Sequence, residues 1–167
     1  SVPDDTIVVD LGDATLLPGL MDMEVNLLMG GPDHASPLVA VQDDPAVKTL
    51  RAVFNARRTL RAGFTTVRNL GLFIQTGGIL LDVALQKAID LNSIEGPRIV
   101  PAGHAISPTG GHLDPTMFQA LGPQVLPLSV EEGIANGVDE IRKAVRYQIK
   151  HGARVIKVCA SGGIMSH

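Results

Sequence analysis

Residues 152–163 read Gly-Ala-Arg-Val-Ile-Lys-Val-Cys-Ala-Ser-Gly-Gly. Val155, Ile156 and Val158 surround a single lysine, Lys157, and two glycines close the run. A short apolar run that ends in glycine predicts a buried parallel strand followed by a loop. A buried lysine must pair with an anion or lose its proton, because an isolated ammonium is costly away from water. Lys157 is therefore either a reactive group or a side chain whose aliphatic part carries the ammonium to solvent at the end of the strand. The strand alone leaves both interpretations open.

The composition indicates a globular chain with one core. The chain has 167 residues, of which 45% are hydrophobic and 19% charged. A net charge of -3 without a basic block argues against a nucleic-acid partner. One cysteine, Cys159, excludes an internal disulfide and suits a reducing compartment. Because no apolar run approaches the ~20 residues of a membrane span and no signal-peptide pattern is present, we expect a cytoplasmic protein without a membrane partner.

Strand and helix patterns alternate along the chain. Apolar and β-branched runs predict strands near 20–26, 64–68, 98–102 and 153–158, with helices between them. This βα repetition predicts a parallel sheet with the helices outside. Polar, glycine-rich residues follow the strands, at the sheet edge where such folds bind ligands. Neither a dinucleotide-binding glycine fingerprint nor a phosphate-binding loop nor a nucleophile elbow is present.

The helix boundaries and faces follow from capping residues and periodicity. Asp44-Pro45 predicts the start of the first helix, and Gly63 predicts its end. Its apolar stripe comprises Val47, Leu50, Val53, Phe54 and Leu60. The last helix is predicted to begin at Asn136, or one step earlier at a Ser129–Glu132 capping box. Its predicted buried face comprises Val138, Ile141, Val145 and Ile149.

Residues 20–26 carry an unusual polar face. Period-two alternation places Met21, Met23 and Val25 on one side and Asp22, Glu24 and Asn26 on the other. The polar side is either an exposed edge or a polar cluster that points into a site. Both interpretations remain open on the alternation alone.

A long loop follows the third predicted strand, from residue 103 to residue 128. Loops of this length without secondary structure are uncommon and are often functional. The loop contains His104, Ser107, Thr109, His112 and Asp114. For the two histidines, surface or packing roles compete with substrate contact.

Four motifs occur in a fixed order: Leu-Pro-Gly-Leu-Met-Asp at 17–22, Ala-Gly-Phe-Thr-Thr-Val-Arg at 62–68, Ser-Pro-Thr-Gly-Gly-His-Leu-Asp at 107–114 after Gly-Pro-Arg at 96–98, and Ile-Lys-Val-Cys-Ala-Ser-Gly-Gly at 156–163. Together they resemble the imidazolonepropionase-like, prolidase-like branch of the amidohydrolase superfamily. The resemblance implies an α/β fold, the (β/α)8 TIM barrel. Residues 1–16 would be a short N-terminal β segment of a small β-sandwich, and residues 17–167 the first half, about four βα units, of the barrel.

The resemblance also implies a metal site. In that branch the fourth-strand lysine is carboxylated and bridges two metal ions, which makes Lys157, Glu24 and Asn26 the candidate metal ligands. His112, His104 and Asp114 are the candidate substrate-binding residues. The family's first-strand His-x-His is here Glu24-Val25-Asn26, and oxygen ligands hold zinc less selectively than imidazole does. The implied cofactor is a divalent metal, zinc, bound as one or two ions. The alternative is that this chain holds no metal.

The resemblance implies metal-dependent hydrolysis of C–N amide bonds, with a dipeptide or an N-acyl amino acid as the small-molecule substrate. The alternative is a non-catalytic amidohydrolase-like binding or assembly protein that has lost its metal site. The family's catalytic aspartate and two further histidine ligands come from later strands, and His167 matches neither histidine, so the catalytic residue is unknown.

Half a barrel leaves open strand edges, which favour pairing with other chains. We therefore expect the remaining half of the barrel, from the same or another chain, as a partner, and a homo-oligomer rather than a stable monomer. Without metal, Lys157 should remain an amine paired with Glu24. Arg68 is a weaker site candidate, Cys159 a core residue, and His34 and His151 surface residues.

Overall fold

A computed structural model describes residues 3, 5–29, 43–72, 76–114 and 129–163. Its elements in chain order are β1 (Leu20–Val25), α1 (Pro45–Arg61), β2 (Phe64–Asn69), α2 (Leu81–Asp90), β3 (Arg98–Pro101), a 3-10 turn (Val130–Glu132) and α3 (Gly137–Lys150). The three strands form one parallel sheet in the order β1-β2-β3. The predicted α/β class, with parallel strands in chain order as in a TIM barrel, is confirmed.

The core lies between the sheet and the first two helices. Val67 of β2 and Ile99 of β3 are buried against Leu81 and Leu85 of α2. Helix α1 closes the same layer with small residues, Ala52 and Ala56. A second, smaller cluster joins Ile106, Ala135 and Ala144 beneath α3. Burial of this apolar surface holds α1 and α2 on one face of the sheet and α3 against the residues that follow β3.

The predicted fourth strand is not a regular strand. We call residues 153–159 the Lys157 segment. It makes one isolated parallel bridge, between Val158 and Ile106, and its backbone bonds run to Pro101 and Ile106 beyond the end of β3. The Ile106 amide donates to the Lys157 carbonyl at 2.8 Å, and Cys159 donates back to Ile106 at 2.8 Å. The segment lies in the fourth position of the sheet, but too few ladder bonds form for the predicted strand at 153–158.

The N-terminal residues also lack the predicted pairing. Residues 5–19 contain no strand, and Ile7, Val8 and Val9 are exposed. An extended run becomes a strand only when a neighbouring strand accepts its hydrogen bonds, and the described residues place none beside it. The assignment of residues 1–16 to a separate β segment stays a prediction.

The predicted helix starts hold in part. Asp44 caps α1 by accepting a hydrogen bond from the Val47 amide at 2.9 Å, as predicted. Asn136 precedes α3, but its side chain does not cap the helix, because its oxygen accepts from the Thr109 amide instead. Ser129 caps the 3-10 turn by accepting from the Glu132 amide at 3.3 Å.

The buried faces predicted for α1 and α3 were largely wrong. Val47, Leu50 and Phe54 are exposed on α1, whereas Lys48, Ala52 and Ala56 are buried. On α3 Val138, Ile141 and Ile149 are exposed, Val145 is partly buried, and the buried residues are Ala144 and the polar Gln148. Alanines let the two helices approach their layer closely. The exposed apolar side chains point away from this layer, towards regions where the described residues provide no helix or strand to cover them.

No helix among the described residues is long and apolar enough to cross a membrane. His34, His167 and residues 115–128 of the predicted loop lie outside the described residues.

Candidate functional site

Glu24 and Lys157 meet near the carboxyl ends of the parallel strands. The Lys157 Nζ lies 3.5 Å from Oε1 of Glu24, although 132 residues of sequence separate them. The Lys157 side chain is 29% exposed and the Glu24 side chain 69%. Glu24 is next to the last residue of β1, and the Lys157 carbonyl accepts its bond beyond the end of β3. Glu24 and Lys157 therefore form an ion pair at the edge of the sheet where the strands end, which is the edge at which folds of this kind bind ligands.

Cys159 lies two residues beyond Lys157 and is buried. Burial raises the pKa of its thiol, and the Lys157 charge offsets part of that rise. A thiol with a raised pKa is a poor nucleophile, since the thiolate is the reactive form. The prediction that Cys159 is a core residue agrees with this environment.

The donor atoms near Lys157 suit one part of a divalent metal centre. The Glu24 carboxylate and the Asn26 amide oxygen are ligands of the kind that harder cations prefer. Asn26 is exposed just after β1, and the Glu24–Lys157 contact does not include it. Among the described residues no group of three or more His, Cys, Asp or Glu could hold an ion. Glu24, Asn26 and Lys157, if the lysine were carboxylated and so anionic, would supply ligands on one side of a metal centre. A complete centre would need further ligands from outside the described residues.

His112 lies against Gly163, which follows the Lys157 segment in the chain. A side chain at Gly163 would place its Cβ 2.2 Å from Nδ1 of His112, so the ring occupies the space above that glycine. The Ser107 hydroxyl donates to the His112 carbonyl at 2.7 Å and fixes the backbone. His112 is half-buried and is the only one of the three predicted substrate-binding residues that the described structure leaves partly accessible.

His104 is buried in the scaffold rather than placed on a loop surface. Its Nε2 lies 2.8 Å from the Thr76 hydroxyl, which donates its own proton to the Ile79 carbonyl. That hydroxyl must therefore accept from His104, which assigns the proton to Nε2. Nδ1 is buried without a hydrogen-bond partner among the described residues. Burial lowers the pKa of His104 to about 4, although the Glu132 charge opposes the shift, so the ring is neutral at pH 7.

Asp114 is buried and closes its own loop. Its carboxylate accepts from the Gly110 amide at 2.6 Å, and its amide donates to the Gly111 carbonyl at 3.1 Å. Arg68 joins two strands, because its Nε donates to the Met23 carbonyl at 2.8 Å. These contacts give Asp114 and Arg68 scaffold roles, while substrate binding by Asp114 stays a prediction.

Several buried polar residues were missed at the sequence level. Asp82, Asn69 and Gln148 are almost completely buried, and Lys48 is buried on α1. Burial lowers the pKa of Lys48, and the Asp43 charge offsets part of that shift. The helix pattern gave no signal for Asp82, because Gln86 and Asp90, at positions i+4 and i+8, are also polar and such a stripe is typical of an exposed helix face.

Comparison with known proteins links most of the chain to one family. The model of the amidohydrolase family matches residues 15–167. Ochratoxinase from Aspergillus niger is 36% identical over 165 residues, which cover 90% of this chain and 32% of that protein.

Two solved structures share the fold of this chain. A Xaa-Pro dipeptidase with methionine bound in its active site superposes with a TM-score of 0.74 at 34% identity, covering 89% of this chain and 35% of that one. The crystal structure of A. niger ochratoxinase superposes with a TM-score of 0.71 at 32% identity, covering 90% and 35%. The chain therefore spans about a third of the length of the relatives it matches.

Proposed function

This chain belongs to the amidohydrolase family, and we propose that it takes part in the hydrolysis of C–N amide bonds in small molecules. One observation carries the proposal: Glu24 and Lys157, from the first and last βα units of the chain, meet at 3.5 Å at the carboxyl edge of the sheet. That edge is where barrels of this kind carry their chemistry. The names of the relatives, ochratoxinase and a dipeptidase, support amide hydrolysis as the reaction class.

The proposed substrate is a dipeptide or an N-acyl amino acid. Its support is the similarity to a Xaa-Pro dipeptidase together with the partly accessible His112 beside Gly163, six residues after Lys157. An imidazole there can hydrogen-bond a substrate carboxylate or carbonyl.

The proposed cofactor is a divalent metal, zinc in the first instance, held by Glu24, Asn26 and Lys157 with ligands from outside the described residues. Such an ion lowers the pKa of bound water and polarises a carbonyl. To become a ligand, the unprotonated Lys157 amine adds to carbon dioxide, which forms one N–C bond and releases a proton. The product is an anion that Glu24 would repel unless a cation lay between them. Without a cation, the ion pair is the stable arrangement.

A second function is favoured by the same ion pair. Glu24 stands where the family has a neutral imidazole, and it satisfies the charge of Lys157 without any metal. A barrel with this pair in place could serve as a non-catalytic binding or assembly protein. The exposed apolar faces of α1 and α3 support association with further barrel strands or with a second copy of the chain. We also propose a cytoplasmic location, supported by the single free cysteine.

Hydrolysis of Xaa-Pro dipeptides by the intact protein tests the main proposal. Lys157→Ala should lower kcat/KM by at least about 100-fold, because it removes a group at the reacting centre. Lys150→Ala, at the exposed end of α3, is the matched control and should retain full activity. Equal activity of Lys157→Ala and the control would overturn the catalytic role.

Metal analysis separates the two functions. The metal-dependent hydrolase should purify with, or take up, at least one divalent ion per chain. The double variant Glu24→His, Asn26→His should bind zinc more tightly, because imidazole is the better zinc ligand. If the native protein binds no metal and the double variant does, the non-catalytic function is the correct one.

A further inference from the structure

Asp82 is a carboxylate buried without a cation at the start of α2. It is 0% exposed, and no ion pair to it occurs among the described residues. Its Oδ1 accepts from the Val83 amide at 2.8 Å. Its Oδ2 accepts from the Gly103 amide at 3.0 Å and the Ala102 amide at 3.1 Å, both just beyond β3. Burial raises the pKa of Asp82, and these N–H donors partly offset the rise.

Asn69 extends this group of bonds to the other two strands. It is the last residue of β2, and its Nδ2 donates to Oδ2 of Asp82 at 3.3 Å. Its own side-chain oxygen accepts from the Leu27 amide at 2.9 Å, two residues beyond β1. One carboxylate thus reaches the carboxyl ends of β1, β2 and β3, directly or through one amide.

We propose that Asp82, acting through Asn69, is a positioning residue that fixes the carboxyl ends of the three strands relative to one another and so holds the candidate site in register. Leu27 follows Glu24 and Asn26 by only three residues and one residue, respectively, so the bond from Asn69 limits where those side chains can lie. Gly103 leads directly into His104 and adopts a φ of 68°, a backbone conformation that favours glycine, while its amide donates to Asp82.

The chemistry of the partners explains why a carboxylate occupies this place. Every partner of Asp82 is an N–H donor, so both oxygens must accept. An asparagine would keep one accepting oxygen and turn an amide N–H towards another donor. An alanine would leave the Gly103 amide and the Asn69 Nδ2 without the acceptor that they have in Asp82. A buried donor without a partner lowers the stability of the folded protein.

The connections can be tested amide by amide with hydrogen exchange on the intact protein. Asp82→Ala should speed exchange of the Gly103 and Leu27 amides at least tenfold relative to the Ala62 amide, which bonds within α1. Asn69→Ala should speed exchange at Leu27 but leave Gly103 protected, because the bond from Gly103 to Asp82 does not pass through Asn69. Asp82→Asn should restore part of the protection. Asp90→Ala, an exposed carboxylate at the other end of α2, should change neither amide.

The pattern of exchange decides the matter. If Asn69→Ala deprotects Gly103 as strongly as Leu27, or if Asp82→Ala changes no amide more than Asp90→Ala does, the inference is wrong. Should Asp82→Ala fail to fold, the contrast between Leu27 and Gly103 in Asn69→Ala still decides.

The importance of register for catalysis rests on the proposed function. In that case Asp82→Ala should also lower kcat for the dipeptide, with partial recovery in Asp82→Asn. A protein that shows the exchange pattern but hydrolyses no amide would overturn the proposed function and leave the positioning role standing.

Discussion

The middle helix of the chain and the two outer helices differ in how their apolar residues are covered. On α2, Leu81, Val83 and Leu85 are all buried. On α1 and α3 most of the larger apolar side chains are exposed, Val53 and Val145 are only partly buried, and the fully buried positions are held by alanine, lysine and glutamine. All three helices carry an apolar stripe in their sequence. Helix α2 differs because it has a helix on each side, α1 and α3. The exposed apolar stripes of α1 and α3 therefore lie at the two ends of a partial barrel, which we call its margins, and the described residues leave both margins open.

The candidate site spans those margins, while its scaffold lies in the middle. Glu24 belongs to the first strand and Lys157 to the segment beyond the third, whereas Asp82 and Asn69 lie between them. The polar network in the middle is hydrogen-bonded and buried. The Glu24–Lys157 pair is partly exposed. The buried network therefore lies apart from the candidate site residues that solvent can reach.

The largest expected contrast is between two leucines. Leu85 of α2 is 1% exposed and Leu50 of α1 is 70% exposed. Leu85→Ala should lower the free energy of unfolding by about 2–5 kcal/mol, because it leaves a cavity in the core. Leu50→Ala should lower it by less than about 0.5 kcal/mol. Urea denaturation of both variants measures this, and an equal cost would show that the margin is covered like the middle.

The buried histidine of the scaffold predicts a pH dependence. The pKa of His104 is about 4 in the folded protein, against 6.5 for an ordinary histidine. Between these values the unfolded chain binds the extra proton, so stability should fall as pH drops from 6.5 towards 4, by on the order of 3 kcal/mol in total. The groups that face His104 are Thr76, Gln148 and Glu132, and only Glu132 carries charge.

Urea titrations between pH 4 and pH 7 test this dependence. His104→Gln should flatten the slope of stability against pH relative to the native protein. His151→Gln, which alters an exposed histidine, should keep the native slope. If both variants show the native slope, His104 does not titrate as its environment requires.

The open margins predict association of the 167-residue chain. Light scattering should show a mass that rises with concentration, because apolar side chains and strand edges are uncovered. Leu50→Glu with Ile149→Glu places one charge on each margin and should reduce that mass. Lys87→Glu, on the exposed side of α2, should not. A monodisperse native monomer with a cooperative thermal transition would remove the distinction between margin and middle.

The smallest expected effect concerns two adjacent glycines. Gly163→Ala would place a methyl group 2.2 Å from the His112 ring and displace it, whereas a Cβ at Gly162 meets nothing within 4 Å. If His112 contacts the substrate, Gly163→Ala should raise KM several-fold, with a stability loss of about 1 kcal/mol or less. Gly162→Ala should leave both quantities unchanged. Equal KM values for the two variants would separate His112 from substrate binding.

Local patterns predicted what local contacts determine. The βα alternation and the Asp44 cap depend on neighbours in the sequence, and they predicted β1 and α1. The period-two alternation of residues 20–26 left open where Glu24 would point, and only the family resemblance assigned Glu24 and Lys157 to one site. Which stripe of α1 and α3 would be buried depends on elements far away in the chain. Periodicity could not indicate that Ala52 and Ala144 would be buried in preference to Leu50 and Ile149.

The buried polar network was beyond such patterns for a related reason. Asp82 and Asn69 are stable only because backbone amides from three different strands converge on them. Likewise, His104 looks like a loop histidine in the sequence, and only the packing of Thr76 and Gln148 around it makes it part of the scaffold.

The most direct test of the candidate site is carbon-13 NMR of the intact protein in labelled bicarbonate, with and without zinc. Without metal, Lys157 is paired with Glu24 and should give no carbamate signal. With zinc bound, a carbamate signal should appear and should be absent from Lys157→Arg. A carbamate on the metal-free native protein would contradict the role given to the ion pair. Full dipeptide hydrolysis by zinc-loaded protein without any carbamate would contradict the role given to Lys157.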